Sequence, residues 1–370
     1  MTKKGSKMNV LRGQRKRFYL IISGLLAVIF LFVGCGEVSA PTPPEPTATY
    51  SIHTELQKGY LNDNAMNIKV YADGTAEKSR PLPVTLDFTE ISDDIEKVEL
   101  SKNFSFDAVT TYPVTDGKAE IYNLEIGTVY YYWTKLTDGS YGEIAAFATE
   151  DAAPRNLYVD GVTNVRDLGG RSVPEGRVRQ GLLYRGGRLN QNHTDTPTPK
   201  ITEEGIRTMK ETLGIKTEVD LRRADDNEIG SLTASVLGEG VSYHNLPMTA
   251  SNDMLTANYP SIRAFFALLA DKRSYPLYFH CSIGTDRTGF TAFLMLSVLG
   301  VELIDIDRDY LFSNFGNIGG DRNVLNVSGF ALFISLFPGE TLQEKTVNYL
   351  LNMGVTAEEI AAFRKIMIEK

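Results

Sequence analysis

The chain has 370 residues, 42% hydrophobic and 23% charged, with a formal charge of −8; it is long enough for about two domains and a sizeable core. Residues 1–34 hold seven of the 38 basic residues and no acidic one, so the rest carries 31 basic against 46 acidic residues, a formal charge of −15. That balance excludes general nucleic-acid binding, which needs a positive surface, and the two cysteines, Cys35 and Cys281, exclude a disulfide framework.

The basic residues of 1–34 precede an apolar run of 16 residues, Phe18–Val33, and then Gly34-Cys35. The run is short for a membrane span and suits the apolar region of a signal peptide. The ending Leu31-Phe32-Val33-Gly34-Cys35 resembles a bacterial lipoprotein box, which implies lipidation at Cys35 and a body anchored on the outer face of the membrane. An uncleaved anchor helix is the alternative. Residues 35–50 follow as a linker, with Pro41, Pro43, Pro44 and Pro46 favouring an extended tether.

From 51 to 151 the sequence predicts an all-β sandwich of the immunoglobulin or fibronectin III kind. Short alternating runs (Ile68–Tyr71, Val84–Phe88, Val98–Leu100, Ala119–Tyr122, Val129–Trp133) are separated by turn signals such as Asp73-Gly74, Asp116-Gly117 and Asp138-Gly139. Leu124–Tyr130 resembles the tyrosine-corner segment of fibronectin type III domains, with Ile126 where Pro is common, and Trp133 is a candidate for the core. The region reads as a spacer or as an adhesive module, and no residue signature decides between them.

From 154 to the end the pattern is α/β. Thr202, followed by Glu203 and Glu204, starts a helix whose Ile206, Met209 and Leu213 share a face before Gly214. Ile215–Leu221 reads as a strand, Ser261–Leu269 as a helix, and Leu277-Tyr278-Phe279 as a buried central strand. Phe290–Leu299 is apolar nearly all round and predicts a buried helix closed by Gly300.

Between that last strand and helix stands His280-Cys281-Ser282-Ile283-Gly284-Thr285-Asp286-Arg287-Thr288-Gly289. A strand, a loop and a helix N-terminus place backbone N–H groups around an anion. Loop amides, Arg287 and the Thr288 hydroxyl all favour a Cys281 thiolate. A phosphate seated among the amides of Ser282, Ile283, Gly284, Thr285, Asp286 and Arg287 would meet a nest and a bidentate partner. Attack by Cys281 would give a phosphocysteine that water hydrolyses. The chemistry needs no metal or cofactor, and no cluster of metal-ligand spacing is present in the sequence. His280 has two readings, as orienter of the loop or as a base, and the first is favoured because the thiolate needs no partner base. The bland alternative for Cys281 is a structural cysteine in a glycine loop.

Four further segments occur in order: Asn164–Gly170 (NVRDLGG), Leu183–Leu189 (LYRGGRL), Val219–Arg223 (VDLRR) and Asp309–Asn314 (DYLFSN). With the loop and the tail Gly354–Ile360, they make residues 155–370 resemble the protein tyrosine phosphatases, and more narrowly the bacterial tyrosine/serine phosphatase group. The resemblance implies a central, mostly parallel sheet flanked by helices. It implies Cys281 as nucleophile, Arg287 as phosphate binder and Thr288 as an aid to the second step. Two acids remain open as proton donor: Asp286, which is favoured, and Asp220 at a strand end. Arg166, Asp167, Arg185 and Arg222 read as supporting residues, with direct substrate contact as the other possibility. Gly186 replaces the Ser usual in its segment, and Thr285 replaces the Lys usual in the loop. Loss of that Lys favours phosphotyrosine or another monophosphate over phosphoinositides or inositol phosphates, which stay as the alternative substrates. A phosphorylated protein or a small phosphate ester is the expected partner, with the membrane reached through the lipid. A surface adhesin with an inert phosphatase domain is the competing class; it predicts damage in the loop, and the loop is intact.

Overall fold

The computed structural model describes residues 42–91, 94–191, 200–223, 232–250 and 253–370; the proposed signal and lipidation site at Cys35 lie outside them. Residues 44–370 belong to one compact unit. Its first part holds β1 (Thr49–Tyr50), α1 (Glu55–Leu61), β2 (Val84–Asp87), β3 (Ile95–Ser101), β4 (Thr110–Pro113), β5 (Lys118–Ile121), β6 (Val129–Leu136) and β7 (Ala145–Thr149). The strands form a five-stranded sheet in the order β1-β7-β6-β3-β4 and a separate pair β2-β5. Val84, Leu86, Val98, Leu100, Ala119, Ile121, Tyr130 and Phe147 make one core for them. The alternation of β2, with Val84 and Leu86 buried and Asp87 exposed, is what one covered face requires.

Two expectations for this part are corrected. Ile68–Val70 is a 3-10 turn, not a strand. Its Ile68, with Tyr60 of α1 and Ala72, is buried in the core of the following α/β body. The chain there has backbone partners in that body: the Gly74 amide donates to Asn314 O (2.9 Å) and the Lys78 amide to Phe315 O (2.5 Å). A four-residue alternating run cannot stay a strand when no neighbour offers it a ladder. Trp133 is not in the core. It stacks on Phe106 (centroids 3.9 Å apart) and donates Nε1–H to Glu99 (2.8 Å). Strand alternation explains this, since Tyr130 faces inward and Trp133, three residues on, faces the other side. The Tyr130 hydroxyl accepts the Glu125 amide (2.8 Å), the bond that defines a tyrosine corner.

The second part begins with β8 (Arg155–Asn156), β9 (Arg166–Asp167), β10 (Ser172–Val173), β11 (Gly176–Val178) and β12 (Leu183–Gly186). It continues with α2 (Glu203–Arg207), β13 (Thr217–Asp220), β14 (Ser242–Asn245), α3 (Met254–Ala257), α4 (Tyr259–Leu269), β15 (Leu277–His280) and α5 (Asp286–Leu299). It ends with α6 (Leu303–Leu311), α7 (Val324–Ile334), α8 (Leu342–Asn352), α9 (Ala357–Met367) and β16 (Ile368–Glu369). The main sheet runs β14-β13-β15-β12-β9-β8. Its four strands from β14 to β12 are parallel, and β9 and β8 join antiparallel. β15 lies inside this sheet and all four of its residues are buried, as an unbroken apolar run predicts. α5 is buried along its length from Arg287 onward and ends on Gly300 at φ +91°. α8 and α9 each open on a capping box, Thr341–Glu344 and Thr356–Glu359. β10, β11 and β16 form a small sheet that ties the C-terminus to the body.

The two parts are joined by specific polar contacts. Arg155 donates to the carbonyls of Asn123 (2.6 Å) and Leu124 (2.9 Å) and pairs with Asp167 (2.8 Å). Asn123 and Tyr158 exchange two bonds, as do Ile126 and Gln180. Replacing Tyr130 by Phe removes only the hydroxyl of the corner. It should lower stability by about 1 kcal/mol, read as a lower urea midpoint.

Candidate active site

The end of β15 delivers Cys281, and five residues later α5 begins, with Thr285 at its N-cap and Thr288 at its third position. Cys281 is 2% exposed. Burial alone would push its thiol up, but the Arg287 charge and the Thr288 hydroxyl and amide override it and hold Cys281 below the ordinary thiol value. The Thr288 hydroxyl is buried with no hydrogen-bond partner among the described residues, and it lies close enough to Cys281 to favour the charged form of the thiol. Arg287 is buried and donates to the carbonyls of Met248 (3.4 Å) and Leu221 (3.5 Å).

The loop is held from behind by its carbonyls. Asn164 Nδ2 donates to Ile283 O and Gly284 O (3.2 Å each). Arg185 Nη2 donates to Gly284 O (2.7 Å), and Arg188 donates to Ser282 O through its backbone (3.2 Å) and its guanidinium (3.1 Å). With these carbonyls turned back into the protein, the loop can present its amides to the opposite side. Gly284 sits at φ +71°, and a Cβ there would fall 2.3 Å from the Gly186 carbonyl. Thr285 is fully buried, its hydroxyl directed to Ile283 O (3.4 Å) and within reach of Asn164 Nδ2 (3.4 Å). It offers a substrate no charge.

Gly186, the departure from Ser, has a local cause. A Cβ at 186 would lie 2.4 Å from the Tyr278 hydroxyl, which instead donates to Gly187 O (2.5 Å). The tyrosine occupies the space that a side chain at 186 would need.

Behind Arg185 lies a buried hub. Asp309 on α6 accepts from Arg185 Nη1 (2.6 Å), Arg171 Nη2 (2.7 Å) and Arg166 Nε (3.0 Å). Arg166 also donates to the Asn164 side chain, so hub and loop share Asn164. Burial opposes ionisation of Asp309, but the three guanidinium charges override it and hold the carboxyl far below its ordinary value. Burial and the neighbouring Arg166 push Arg185 down to about 9, so it stays charged at neutral pH. Three arginines against one carboxylate leave a positive excess beneath the loop.

The other predicted residues separate into three places. His280 is buried; its Nε2 is 2.9 Å from Glu218 and its Nδ1 is 3.1 Å from Cys281 O, so it braces the loop backbone. Asp220 is fully buried in a fork with Arg222 (Oδ2–Nη2 2.6 Å, Oδ1–Nε 2.9 Å) and accepts the Tyr243 hydroxyl (3.0 Å). Burial opposes its charge, but His280 and Arg222 hold it ionised. Asp167 lies apart from the loop, bonded to Arg155 and to the amides of Gly169 and Gly181 (2.7 Å each). Asp286 stands at the rim, its side chain 36% exposed and paired with Arg322. Asp309 and Asn164 sat inside recognised segments without being assigned a role. Arg171, Glu218 and Arg322 had no signal in the sequence, because each acts through partners far along the chain. No group of three side chains able to hold a metal occurs among the described residues.

Residues 157–369 match the profile of the tyrosine phosphatase family. The chain belongs to that family. It is therefore a phosphoric monoester hydrolase by family, and the first part, before residue 157, lies outside the match. A Cupriavidus necator protein named as a tyrosine-protein phosphatase is 29% identical over 46% of this chain and 67% of its own length. A tyrosine-protein phosphatase of Nostoc commune is 29% identical over 27% of this chain, which spans 41% of that relative. Two solved structures are similar at lower identity. TpbA of P. aeruginosa is 19% identical over 47% of this chain and 87% of its own, with a TM-score of 0.30. The catalytic core of the PP-IP phosphatase SIW14 of S. cerevisiae is 15% identical over 43% and 86%, with a TM-score of 0.28.

Two predictions follow from the braces of the loop. Asp309→Asn strands three buried guanidinium groups and should cost about 3–5 kcal/mol, seen as a large drop in urea midpoint. Because the folded value of Asp309 is depressed, its contribution is present above the ordinary carboxyl range near 3.8 and is lost as pH falls through the folded value; the variant should show a flatter acid limb of stability. Gly186→Ala should destabilise by about 1–3 kcal/mol, and Tyr278→Phe in the same chain should recover part of that loss by removing the obstructing oxygen.

Proposed function

We propose that this chain hydrolyses phosphate monoesters, phosphotyrosine foremost, through a phosphocysteine at Cys281. The observation that carries the reading is a buried Cys281 beside Arg287 and Thr288 at the start of α5, which hold its thiol below the ordinary value. The phosphate sits among the loop amides with Arg287 as its bidentate partner. Cys281 Sγ forms a bond to phosphorus as the ester oxygen leaves, and Asp286 gives that oxygen its proton. Water then attacks the phosphocysteine while Asp286 takes a proton from it, which releases phosphate and restores the thiolate. Thr288 stabilises the leaving sulfur in this second step. Asp286 is preferred over Asp220 because it reaches the rim, whereas Asp220 is enclosed by Arg222, Tyr243 and His280. The buried Thr285 adds no charge for a second phosphate, in keeping with a monophosphate. An inert adhesin is disfavoured by the intact thiolate environment.

We assign the protein to the outer face of the bacterial membrane, held by lipid on Cys35. Residues 35–50 are the tether, and the β-rich first part, in our reading a fibronectin III-like spacer, carries the catalytic body. No helix among the described residues is long and apolar enough to cross a membrane.

With the full chain, Cys281→Ser should lower hydrolysis of an aryl phosphate by about 10³-fold or more, and phosphotyrosine peptides should be turned over faster than inositol phosphates. A serine variant as fast as the native chain would remove the mechanism. Metabolic labelling with a fatty acid should mark the native chain and not Cys35→Ala; label that survives the substitution would remove the anchor.

A further inference from the structure

The proton donor of the proposed reaction is not at liberty. Arg322 grips both oxygens of Asp286, Nε to Oδ1 and Nη2 to Oδ2 at 2.8 Å each, and the Tyr310 hydroxyl donates to Oδ1 (3.1 Å). Burial favours the protonated form, but these bonds override it and hold Asp286 below the ordinary carboxyl value. A carboxylate fixed in that way is a poor donor to a leaving oxygen. Arg322 itself is placed with care. The fully buried Asn314 accepts from the Arg322 amide (2.8 Å) and donates to its carbonyl (3.1 Å). Asn314 belongs to the recognised segment after the loop, and its side chain, which also donates to Leu311 O (2.8 Å), ties that segment to a residue eight positions away. The Arg322 side chain is 21% exposed, unlike the buried arginines of the Asp309 hub. It is a cation that solvent reaches, paired to an acid one residue before Arg287.

We propose that Arg322 is a substrate-sensing positioning residue: it keeps Asp286 in a closed ion pair at rest and moves to a second negative charge on the substrate beside the scissile phosphate, which frees Asp286 to act. The inference rests on Asp286 as the proton donor. Once released, Asp286 binds a proton from solvent and passes it to the ester oxygen as the P–O bond breaks and the S–P bond forms. Tyr310 then remains as a hydrogen-bond donor, and the charges facing Asp286 are those of Arg287 and the Cys281 thiolate. The guanidinium fork fits a carboxylate or a phosphate equally. The second charge is therefore an acidic residue next to phosphotyrosine or a neighbouring phosphate on the same ring.

The test compares the full-length native chain with Arg322→Gln, Arg322→Lys and Asp286→Asn. The readouts are kcat/KM against pH on phenyl phosphate and rates on two substrate pairs. One pair is a phosphotyrosine peptide with Glu or Ala beside the tyrosine; the other is an inositol bisphosphate or monophosphate. Arg322→Gln should move the alkaline limb up by about one pH unit and cut the preference for the second anion by roughly tenfold. Arg322→Lys should keep part of both effects, which separates charge from folding. The pair that shows the preference identifies the source of the second anion. An alkaline limb unmoved in Arg322→Gln but abolished in Asp286→Asn overturns the proposal and leaves Asp286 as the acid. A limb that survives Asp286→Asn overturns both. A native chain with no preference in either pair overturns the sensing role.

Discussion

Everything at this site depends on charge buried without enough partners. Asp309 neutralises one of three enclosed guanidinium groups, and the excess sits under a loop built to receive an anion. Buried charge is costly unless it is matched. In the proposed reaction the match is supplied by the Cys281 thiolate and by the incoming phosphate. The hub therefore does two jobs at once. It fixes the loop through Arg185 and Asn164, and it makes the cradle electrostatically favourable for a dianion.

The same logic separates the two carboxylates that compete for the acid role. Asp220 is closed in by Arg222, Tyr243 and the Glu218–His280 pair, and its place is structural. Asp286 meets a single arginine at the rim, from a loop that one asparagine positions. One carboxylate is locked by the core, and the other is latched by a residue that solvent can reach. That difference in access, not in sequence context, is what favours Asp286 as the proton donor of the proposed reaction.

The first part of the chain is more than a preface. α1, the turn at Ile68–Val70 and the residues just after it supply Tyr60, Ile68 and Ala72 to the core of the α/β body. Arg155 and the reciprocal amide bonds then fasten the β-sheets to it. A catalytic fragment beginning near residue 155 would bare that apolar face. The boundary between the β-rich part and the α/β body is therefore not a single point in the chain. It passes through the β-rich region, because Tyr60 and Ile68 are covered by one body and Val84 onward by another.

By itself the sequence determined what local chemistry can specify. The unbroken apolar run of β15, the apolar helix α5 and its Gly300 cap were legible because burial and capping leave their mark on neighbouring residues. The Cys281–Arg287 loop was legible because a nucleophile, glycines and a guanidinium must share one short span. What the tertiary structure alone decided involves partners far apart in the chain. It brought Arg166, Arg171 and Arg185 to Asp309 and Arg322 to Asp286, and it turned Trp133 outward. It also explained Gly186 by the oxygen of Tyr278. Ion pairs and excluded volumes of that kind have no period and no spacing, since any segment of the right charge or size can meet them once the sheet is built.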